Sequence, residues 1–267
     1  MNRNELKRYL GITGYDLGQI EKDYLQNIIL SGLSRDVGGE IVFKGGTALN
    51  KMGIVKRFSE DLDFTQKKVV SLHRIINSAS STVQAYNYPF EFDNAADDER
   101  TLGIRMKIQG PLYKGRNSIS TIRIEISKRE AVLMECDRKE ISPPYVDIIP
   151  YTLEIMNIAE IASEKVRAIL TRNKARDLYD LHMILKTGAR PDRSIIVQKM
   201  RYYDGVYDLD TFQMRCKLLK KKWSGEMDRL LGTTSSYDEA FEFVVNAMKT
   251  GAVSYTHLRA HETVLDL

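Results

Sequence analysis

The chain has 267 residues, of which 43% are hydrophobic and 28% are charged, and its formal net charge is +4. This length can form one large domain or two ordinary ones, and the composition excludes fibrous and low-complexity classes. The slight positive charge permits a nucleic-acid partner without requiring one. The two cysteines have neither disulfide nor metal spacing, the N-terminus is charged rather than apolar, and no apolar run reaches the ~20 residues of a membrane span. The sequence therefore predicts a cytoplasmic protein that does not contact a membrane.

We expect the last residues, 253–267, to derive from a cloning or sequencing sequence rather than from the natural chain. The string from Ser254 to Thr263 is similar to the in-frame translation of a transposon-type sequencing adapter. We expect this tail to be non-native and to have no part in the function, like any expression scar.

The first elements are predicted from helix caps and apolar spacing. Asp16 is an N-cap for a helix that runs to about Leu33, since apolar residues recur there at helical intervals. The apolar run Ile41–Phe43 predicts a buried strand over Ile41–Lys44, and a helix is expected after Thr47, ending near Gly53.

The later elements predict an α+β chain that becomes helical near its end. A helix is expected over Ser71–Ala85, strands over Tyr88–Phe92, Leu102–Ile108 and Ile119–Ser127, loops over 94–100 and 110–117, and helices over Leu153–Leu170 and Lys174–Lys186. We place a domain boundary near Pro150, which divides the chain into a catalytic part, 1–150, and a helical part, 151–252.

The strand Ile41–Lys44 breaks at two glycines and a hydroxyl residue, Gly45, Gly46 and Thr47. Glycines let backbone N–H groups approach an anion closely, and the start of a helix adds partial positive charge. This pattern predicts a phosphate-binding turn.

Asp61 and Asp63 alternate with Leu62 and Phe64 shortly after that turn. In a strand this spacing places both carboxylates on one face and both apolar side chains on the other. Two carboxylates beside a phosphate-binding turn predict a site for a divalent metal ion and a nucleoside triphosphate.

The combined pattern resembles a known family. Gly-Gly-Thr followed by Asp-x-Asp is similar to the nucleotidyltransferase fold of DNA polymerase β. The fuller strings Phe43–Leu49 and Arg57–Phe64 resemble the AbiEii family, the toxins of AbiE-type (type IV) toxin–antitoxin and phage-defence systems. The resemblance extends from about Ile20 to about Leu185.

The resemblance implies a polymerase-β-like mixed sheet flanked by helices and followed by a helical part. It also implies a nucleotide site that includes Lys44 and Ser59 together with Gly45, Gly46 and Thr47, and the metal Mg²⁺, with Mn²⁺ as the alternative. The substrate would be GTP or a pyrimidine nucleoside triphosphate, the acceptor a tRNA 3′ end, and an AbiEi-like antitoxin would be encoded nearby.

Glu125 lies in an alternating strand, in which it shares a face with Thr121 and Arg123. In polymerase-β-like enzymes a third carboxylate on a neighbouring strand completes the metal site and accepts the proton of the attacking hydroxyl, and Glu125 matches that position. The alternative is a surface ion pair between Arg123 and Glu125.

The helical part carries a second set of candidate residues. Lys165 lies in a string that matches the family motif, which implies that it contacts the nucleotide phosphates, with Arg172 assisting. Asp177 and Asp180 lie one helical turn apart. They either position Lys165 or Arg172, face the nucleotide directly, or form a structural network that joins the helical part to the catalytic part.

The function implied by the resemblance is metal-dependent transfer of a nucleoside monophosphate, with Asp61, Asp63, Glu125, Lys165 and Asp180 as catalytic residues. Two alternatives stay open. In the first, the enzyme transfers the nucleotide to a protein or to a small molecule. In the second, this chain binds nucleotide without catalysing a reaction.

Overall fold

The structure, a computed structural model, describes residues 1–231 and 236–253. The expected non-native tail lies outside the described residues from residue 254 onward. The chain divides into two compact units, Met1–Asn157 and Ile158–Leu267. No helix within the described ranges has the length and apolar character that a membrane crossing requires.

The first unit is built around a mixed sheet. Its strands are β1 (Ile41–Lys44), β2 (Asp61–Gln66), β3 (Phe90–Asp97), β4 (Thr101–Ile108), β5 (Ser120–Ser127), β6 (Asp137–Ile141) and β7 (Tyr151–Ile155). Over the described residues they form one seven-stranded sheet in the order β3-β4-β5-β2-β1-β7-β6. The β2–β5 and β1–β7 pairs are parallel and the other pairs are antiparallel.

The helices of this unit are α1 (Arg3–Leu6), α2 (Leu10–Thr13), α3 (Leu17–Val37), α4 (Gly45–Lys51) and α5 (Leu72–Ala85). The predicted cap of α3 is confirmed, because the Asp16 side chain accepts a hydrogen bond from the Gln19 N–H. Helix α3 contacts α5, β5 and β7. It therefore covers the apolar face of the sheet, where Leu62 and Phe64 are buried.

Three sequence predictions about this unit are wrong. Helix α4 begins at Gly45, not after Thr47. The predicted loop over 94–100 is largely strand, because β3 extends to Asp97 and pairs with β4 along its length. The predicted helix over Leu153–Leu170 begins only at Ile158.

The segment before Ile158 is the strand β7. Tyr151, Leu153 and Ile155 are buried whereas Thr152 is exposed, and this alternation is that of a strand with one covered face. The Met156 N–H donates to the Phe43 carbonyl at 2.9 Å, which joins the end of β7 to β1.

The second unit is helical in its described residues. Its helices are α6 (Ile158–Thr171), α7 (Ala175–Lys186), α8 (Arg193–Arg201), α9 (Leu209–Leu218), α10 (Lys220–Leu231) and α11 (Tyr237–Val253). Helix α6 contacts α7, α8 and α9, and α7 also contacts α10 and α11. Buried apolar side chains of α6 and α7, such as Ile161 and Leu178, form the core of this unit.

Candidate active site

The register of β2 and β5 brings the predicted carboxylates together. The two strands are parallel, with Asp63 opposite Glu125 and Asp61 opposite Arg123. Register partners on adjacent strands point to the same face, so all three carboxylates share one face of the sheet. Since the other face is covered by α3, this is the face on which a ligand can bind.

Arg123 pairs with Asp61 rather than with Glu125. The Arg123 NH1 atom lies 3.9 Å from Asp61 Oδ1, and both side chains are substantially exposed. Among the described residues no ion pair joins Arg123 to Glu125, so the structural alternative for Glu125 is not formed.

Gly45 lets the turn pass close to the carboxylates. Its φ is +75°, and a Cβ atom built on it would lie 2.6 Å from Asp63 Oδ2. An L-residue is strained in this backbone region, and its side chain would collide with the carboxylate. The glycine therefore allows the backbone to approach Asp63 directly.

Gly46 makes a second close approach, to Arg57 and Ser59. A Cβ atom at Gly46 would collide with the Arg57 guanidinium and would lie 2.9 Å from Ser59 Oγ. Arg57 is buried and also donates to the Phe58 carbonyl at 3.1 Å. Sequence reasoning assigned no role to Arg57, although it begins the string Arg57–Phe64.

Lys44 and Thr47 are engaged within the protein. The Thr47 hydroxyl is buried and donates to the Asp61 carbonyl. The Lys44 ammonium lies 3.6 Å from Glu130 Oε2, and both side chains are buried. In this arrangement the two residues hold the turn against β2 and against the chain beyond β5.

Gln26, which the sequence did not single out, supports the approach to β2. Its side-chain amide donates to the carbonyls of Ser59 and Glu60, at 2.9 Å each, and Gln26 is buried in α3. These bonds fix the two residues that immediately precede Asp61. The only sequence signal was a polar residue on the buried side of a predicted helix.

The carboxylates fit a hard cation, because Mg²⁺ and Mn²⁺ prefer oxygen ligands. Within the described residues no group of three acidic, cysteine or histidine side chains is already arranged to hold a metal ion. Mg²⁺ commonly takes one or two protein carboxylates and completes its shell with substrate phosphates and water. The donor set therefore fits a metal that binds together with a triphosphate.

In the second unit Lys165 is held by two aspartates. Its ammonium lies 3.0 Å from Asp177 Oδ1 and 2.7 Å from Asp180 Oδ2, and neither aspartate side chain is exposed. Arg172 donates to both oxygens of Asp177, at 2.7 and 2.8 Å. Of the alternatives for these acids, the geometry favours the one in which they position the two cations.

The charge state of Asp177 follows from this cluster. Burial alone would raise the pKa of Asp177, but the Lys165 ammonium and the Arg172 guanidinium lower it well below its usual range. The aspartate is therefore ionised at neutral pH and keeps both cations in place.

A second buried cluster joins α6 to α8 and was not predicted. The Lys199 ammonium of α8 lies 2.7 Å from Glu160 Oε1 and 3.0 Å from Glu164 Oε1. Glu164 and Lys165 are adjacent in α6, so this part of the helix is joined by ion pairs both to α8 and to α7. Both sets of ion pairs restrict the rotation of α6 about its axis.

The mixed sheet, the glycine turn and the carboxylates of β2 and β5 define a protein with a nucleotidyltransferase fold. JHP933 from Helicobacter pylori is similar in structure, with a TM-score of 0.55 and 22% identity over 90% of this chain and 97% of that one. MenT4, a nucleotidyltransferase toxin from Mycobacterium tuberculosis, gives a TM-score of 0.53 and 18% identity over 94% and 99%.

A sequence model of the family described as "Nucleotidyl transferase AbiEii toxin, Type IV TA system" matches residues 28–247. The chain belongs to this AbiEii family. A comparison with curated proteins found no match. The resemblance inferred from the motifs is thereby confirmed, and so is the expected α+β, polymerase-β-like fold.

Proposed function

We propose that the chain transfers a nucleoside monophosphate from a nucleoside triphosphate to the 3′ end of an acceptor RNA, with tRNA as the physiological acceptor. The observation that carries this proposal is the parallel register of β2 and β5, which places Asp63 beside Glu125, next to the Gly45 turn. Membership of a family of nucleotidyltransferase toxins supports the same reaction class.

In the proposed reaction the acceptor hydroxyl oxygen forms a bond to the α-phosphorus, and the bond from that phosphorus to the pyrophosphate oxygen breaks. Glu125 accepts the hydroxyl proton, and pyrophosphate leaves with the bonding electrons. Backbone N–H groups of Gly45, Gly46 and Thr47 bind the β- and γ-phosphate oxygens. Asp61 and Asp63 would hold Mg²⁺, or Mn²⁺, which supplies electrostatic stabilisation of the phosphoryl oxygens.

Lys165 and Arg172 carry the positive charge that, by the family motif, neutralises the departing pyrophosphate. Two buried aspartates balance these cations in the free protein. The two carboxylates offset part of the cost of burying the Lys165 ammonium, whereas the Arg172 side chain is 46% exposed. Asp177 and Asp180 then act as positioning residues for Lys165.

The biological role we propose is that of a toxin that blocks translation by modifying tRNA in the cytoplasm, within a phage-defence system. A type IV toxin implies a cognate antitoxin, which we expect to be an AbiEi-like protein encoded nearby. The nucleotide transferred would be GMP or a pyrimidine nucleoside monophosphate.

The test combines the purified full chain, Mg²⁺, bulk tRNA and each α-labelled nucleoside triphosphate in turn. We expect label on tRNA with one nucleotide, and a loss of at least about 1000-fold in the Asp61→Asn/Asp63→Asn variant, since two ligands of the metal are removed. The matched control is Glu99→Gln/Glu135→Gln, which removes two exposed carboxylates elsewhere in the same unit.

The outcomes separate the candidate functions. Label on protein or on a small molecule would contradict the RNA acceptor and retain the enzyme class. Nucleotide binding without pyrophosphate release in every mixture would contradict catalysis itself. Equal labelling by wild type and the double aspartate variant would refute the metal-binding role of Asp61 and Asp63.

A further inference from the structure

A cavity of about 540 Å³ opens at one end of β4 and β5 and has no part in the mechanism above. Its walls combine aromatic, polar and charged side chains, among them Phe90, Tyr113, Lys107, Arg116 and Thr121. The Glu91 carboxylate also lines the cavity and lies 4.0 Å from the Lys107 ammonium. The loop that follows β4, residues 110–118, forms one wall, and we call it the Tyr113 loop.

The cavity lies on the same face of the sheet as the carboxylates. Thr121 and Glu125 alternate on β5, and Lys107 is the register partner of Thr121 on β4. At ~3.3 Å per residue, the cavity wall at Thr121 lies ~13 Å from Glu125 along the strand. Stacked nucleotides spaced ~3.4 Å apart would cover this distance with about four residues of a single strand.

The strand order determines from which side an acceptor reaches the carboxylates. The sheet runs β4-β5-β2-β1, and the Gly45 turn follows β1. In an in-line displacement the attacking and leaving oxygens lie on opposite sides of the phosphorus. If pyrophosphate departs at the Gly45 turn, the acceptor hydroxyl approaches from the β5 and β4 side, where the cavity lies.

The Tyr113 loop has the chemistry of a single-strand binding site. Tyr113 is 37% exposed, and Lys114 and Arg116 are exposed and have no carboxylate partner among the described residues. The loop contains no acidic residue. Exposed aromatic rings stack bases, and unpaired cations bind backbone phosphates.

The cations on strand β4 are already paired with a carboxylate and so are less available to bind a phosphate. The Lys107 ammonium lies 2.6 Å from Asp93 Oδ1, and Arg105 lies 3.4 Å from the other oxygen of Asp93. These are cross-strand ion pairs of the β3–β4 hairpin. Around the cavity, within the described part of the chain, Lys114 and Arg116 are therefore the cations without a carboxylate partner.

Buried Glu21 of α3 holds the Tyr113 loop at both ends. It accepts hydrogen bonds from the Leu112 N–H, at 2.5 Å, and from the Ser120 hydroxyl. Within the loop the Lys114 N–H donates to Ser118 Oγ at 2.7 Å. A loop fixed in this way loses little conformational entropy when it binds a ligand.

We propose that the cavity and the Tyr113 loop bind the single-stranded 3′ end of the acceptor RNA, with a base stacked on Tyr113 and phosphates on Lys114 and Arg116. The proposal rests on the proposed function, because it assigns the acceptor side of that same site. It adds a surface that selects a single-stranded end a few nucleotides long.

The test measures binding independently of catalysis. The probe is a 5′-fluorescein-labelled, eight-nucleotide single-stranded RNA with a free 3′-hydroxyl, titrated with the full chain and followed by fluorescence anisotropy. Tyr113→Ala is expected to weaken binding about 5- to 150-fold, the range for loss of one stacked base, whereas Tyr113→Phe keeps the ring and binds like wild type.

The salt dependence of binding distinguishes phosphate contacts from base stacking. Lys114→Ala/Arg116→Ala is expected to lower the slope of log Kd against log salt by about 1.4, since each phosphate contact on a single strand contributes ~0.7. The matched control is Arg138→Ala/Lys139→Ala, which removes two exposed cations from β6 at the opposite edge of the sheet. A fully duplexed RNA of the same sequence should bind at least about tenfold more weakly, because its bases are not free to stack.

Each outcome decides the proposal. The proposal is overturned if Tyr113→Ala and the Lys114/Arg116 variant both bind RNA with wild-type affinity. It is also overturned if the Arg138/Lys139 control loses as much RNA affinity as the loop variants, or if the wild-type chain does not bind RNA. If wild type transfers label to RNA while the loop variants bind RNA normally, the acceptor surface is wrong and the proposed function stands. If the loop variants lose RNA binding and wild type transfers no label, the surface is supported and the proposed reaction fails.

Discussion

The substitution Gly45→Ala tests whether the close approach of the turn to Asp63 matters for catalysis. The new methyl group would lie 2.6 Å from Asp63 Oδ2, whereas ordinary contacts begin at 3.4 Å, so the carboxylate must move by about 0.8 Å. Displacements of about 1 Å in an active site cost ~100-fold in rate. We therefore expect nucleotidyl transfer to fall ~100-fold.

The same substitution also lowers the stability of the fold, because alanine is strained at a positive φ. Substitution of a second glycine with a similar φ measures this effect separately. Gly53 has a φ of +72°, close to the +75° of Gly45, and a Cβ there meets nothing within 4 Å. Each alanine should cost ~1–2 kcal/mol for the left-handed conformation, partly offset by ~0.4–1 kcal/mol from the stiffer unfolded chain. Both variants should therefore lose a few degrees of melting temperature.

The assay is initial-rate transfer of labelled nucleotide at saturating triphosphate, with melting temperature measured by circular dichroism. Gly53→Ala is expected to keep wild-type activity despite its lower stability. If Gly45→Ala and Gly53→Ala are equally active, the close approach of the turn to Asp63 has no catalytic role.

Three further predictions concern the residues around the site. Asp63→Asn should reduce transfer by at least ~100-fold while the melting temperature stays within a few degrees of wild type, since a partly exposed carboxylate is replaced by an isosteric amide; an active variant would contradict the metal-binding role. Gln26→Leu removes two hydrogen bonds and should lower the free energy of unfolding by ~1–3 kcal/mol in urea titrations. Its rate of nucleotidyl transfer should fall below that of Gly53→Ala, a variant that is also destabilised but is expected to keep wild-type activity. Asp177→Asn should be destabilising by ~3–5 kcal/mol at pH 7. Because the folded pKa of Asp177 is lowered, its contribution is complete above the unfolded value of about 3.9 and declines as the pH falls below it. The difference in unfolding free energy between wild type and Asp177→Asn should thus shrink between pH 5 and pH 3, and a constant difference would contradict the ionised cluster.

The strands that carry the site could be predicted because their pattern is local. Alternation of apolar and polar residues sets the faces of β2 and β5, and the apolar run Ile41–Phe43 gives β1. The pairing of Asp63 with Glu125 depends on register between strands that are distant in sequence, which no local pattern contains. It could be inferred only from the resemblance to the family.

The elements that were wrongly predicted depend on tertiary contacts. The helical prediction over Leu153–Ile155 failed because pairing with β1 decided the conformation of these residues. The extension of β3 came from its partner β4, since residues 94–97 are exposed and have no apolar alternation. The support from Gln26 and the cluster at Lys199 were not visible in the sequence either, because a buried polar side chain acquires its role only from the partner it meets.

The position of β7 in the sheet affects when the protein can become active during its synthesis. Strand β7 pairs directly with β1 and carries β6 beside it, so the sheet remains incomplete until Ile155 has left the ribosome. Translation at ~5–20 residues per second separates the emergence of the Gly45 turn from that of Ile155 by roughly 5–20 s. Throughout this interval the nascent chain exposes one edge of β1. The sheet that carries the candidate active site is thus complete only after nearly all of the first unit, through Ile155, has been synthesised.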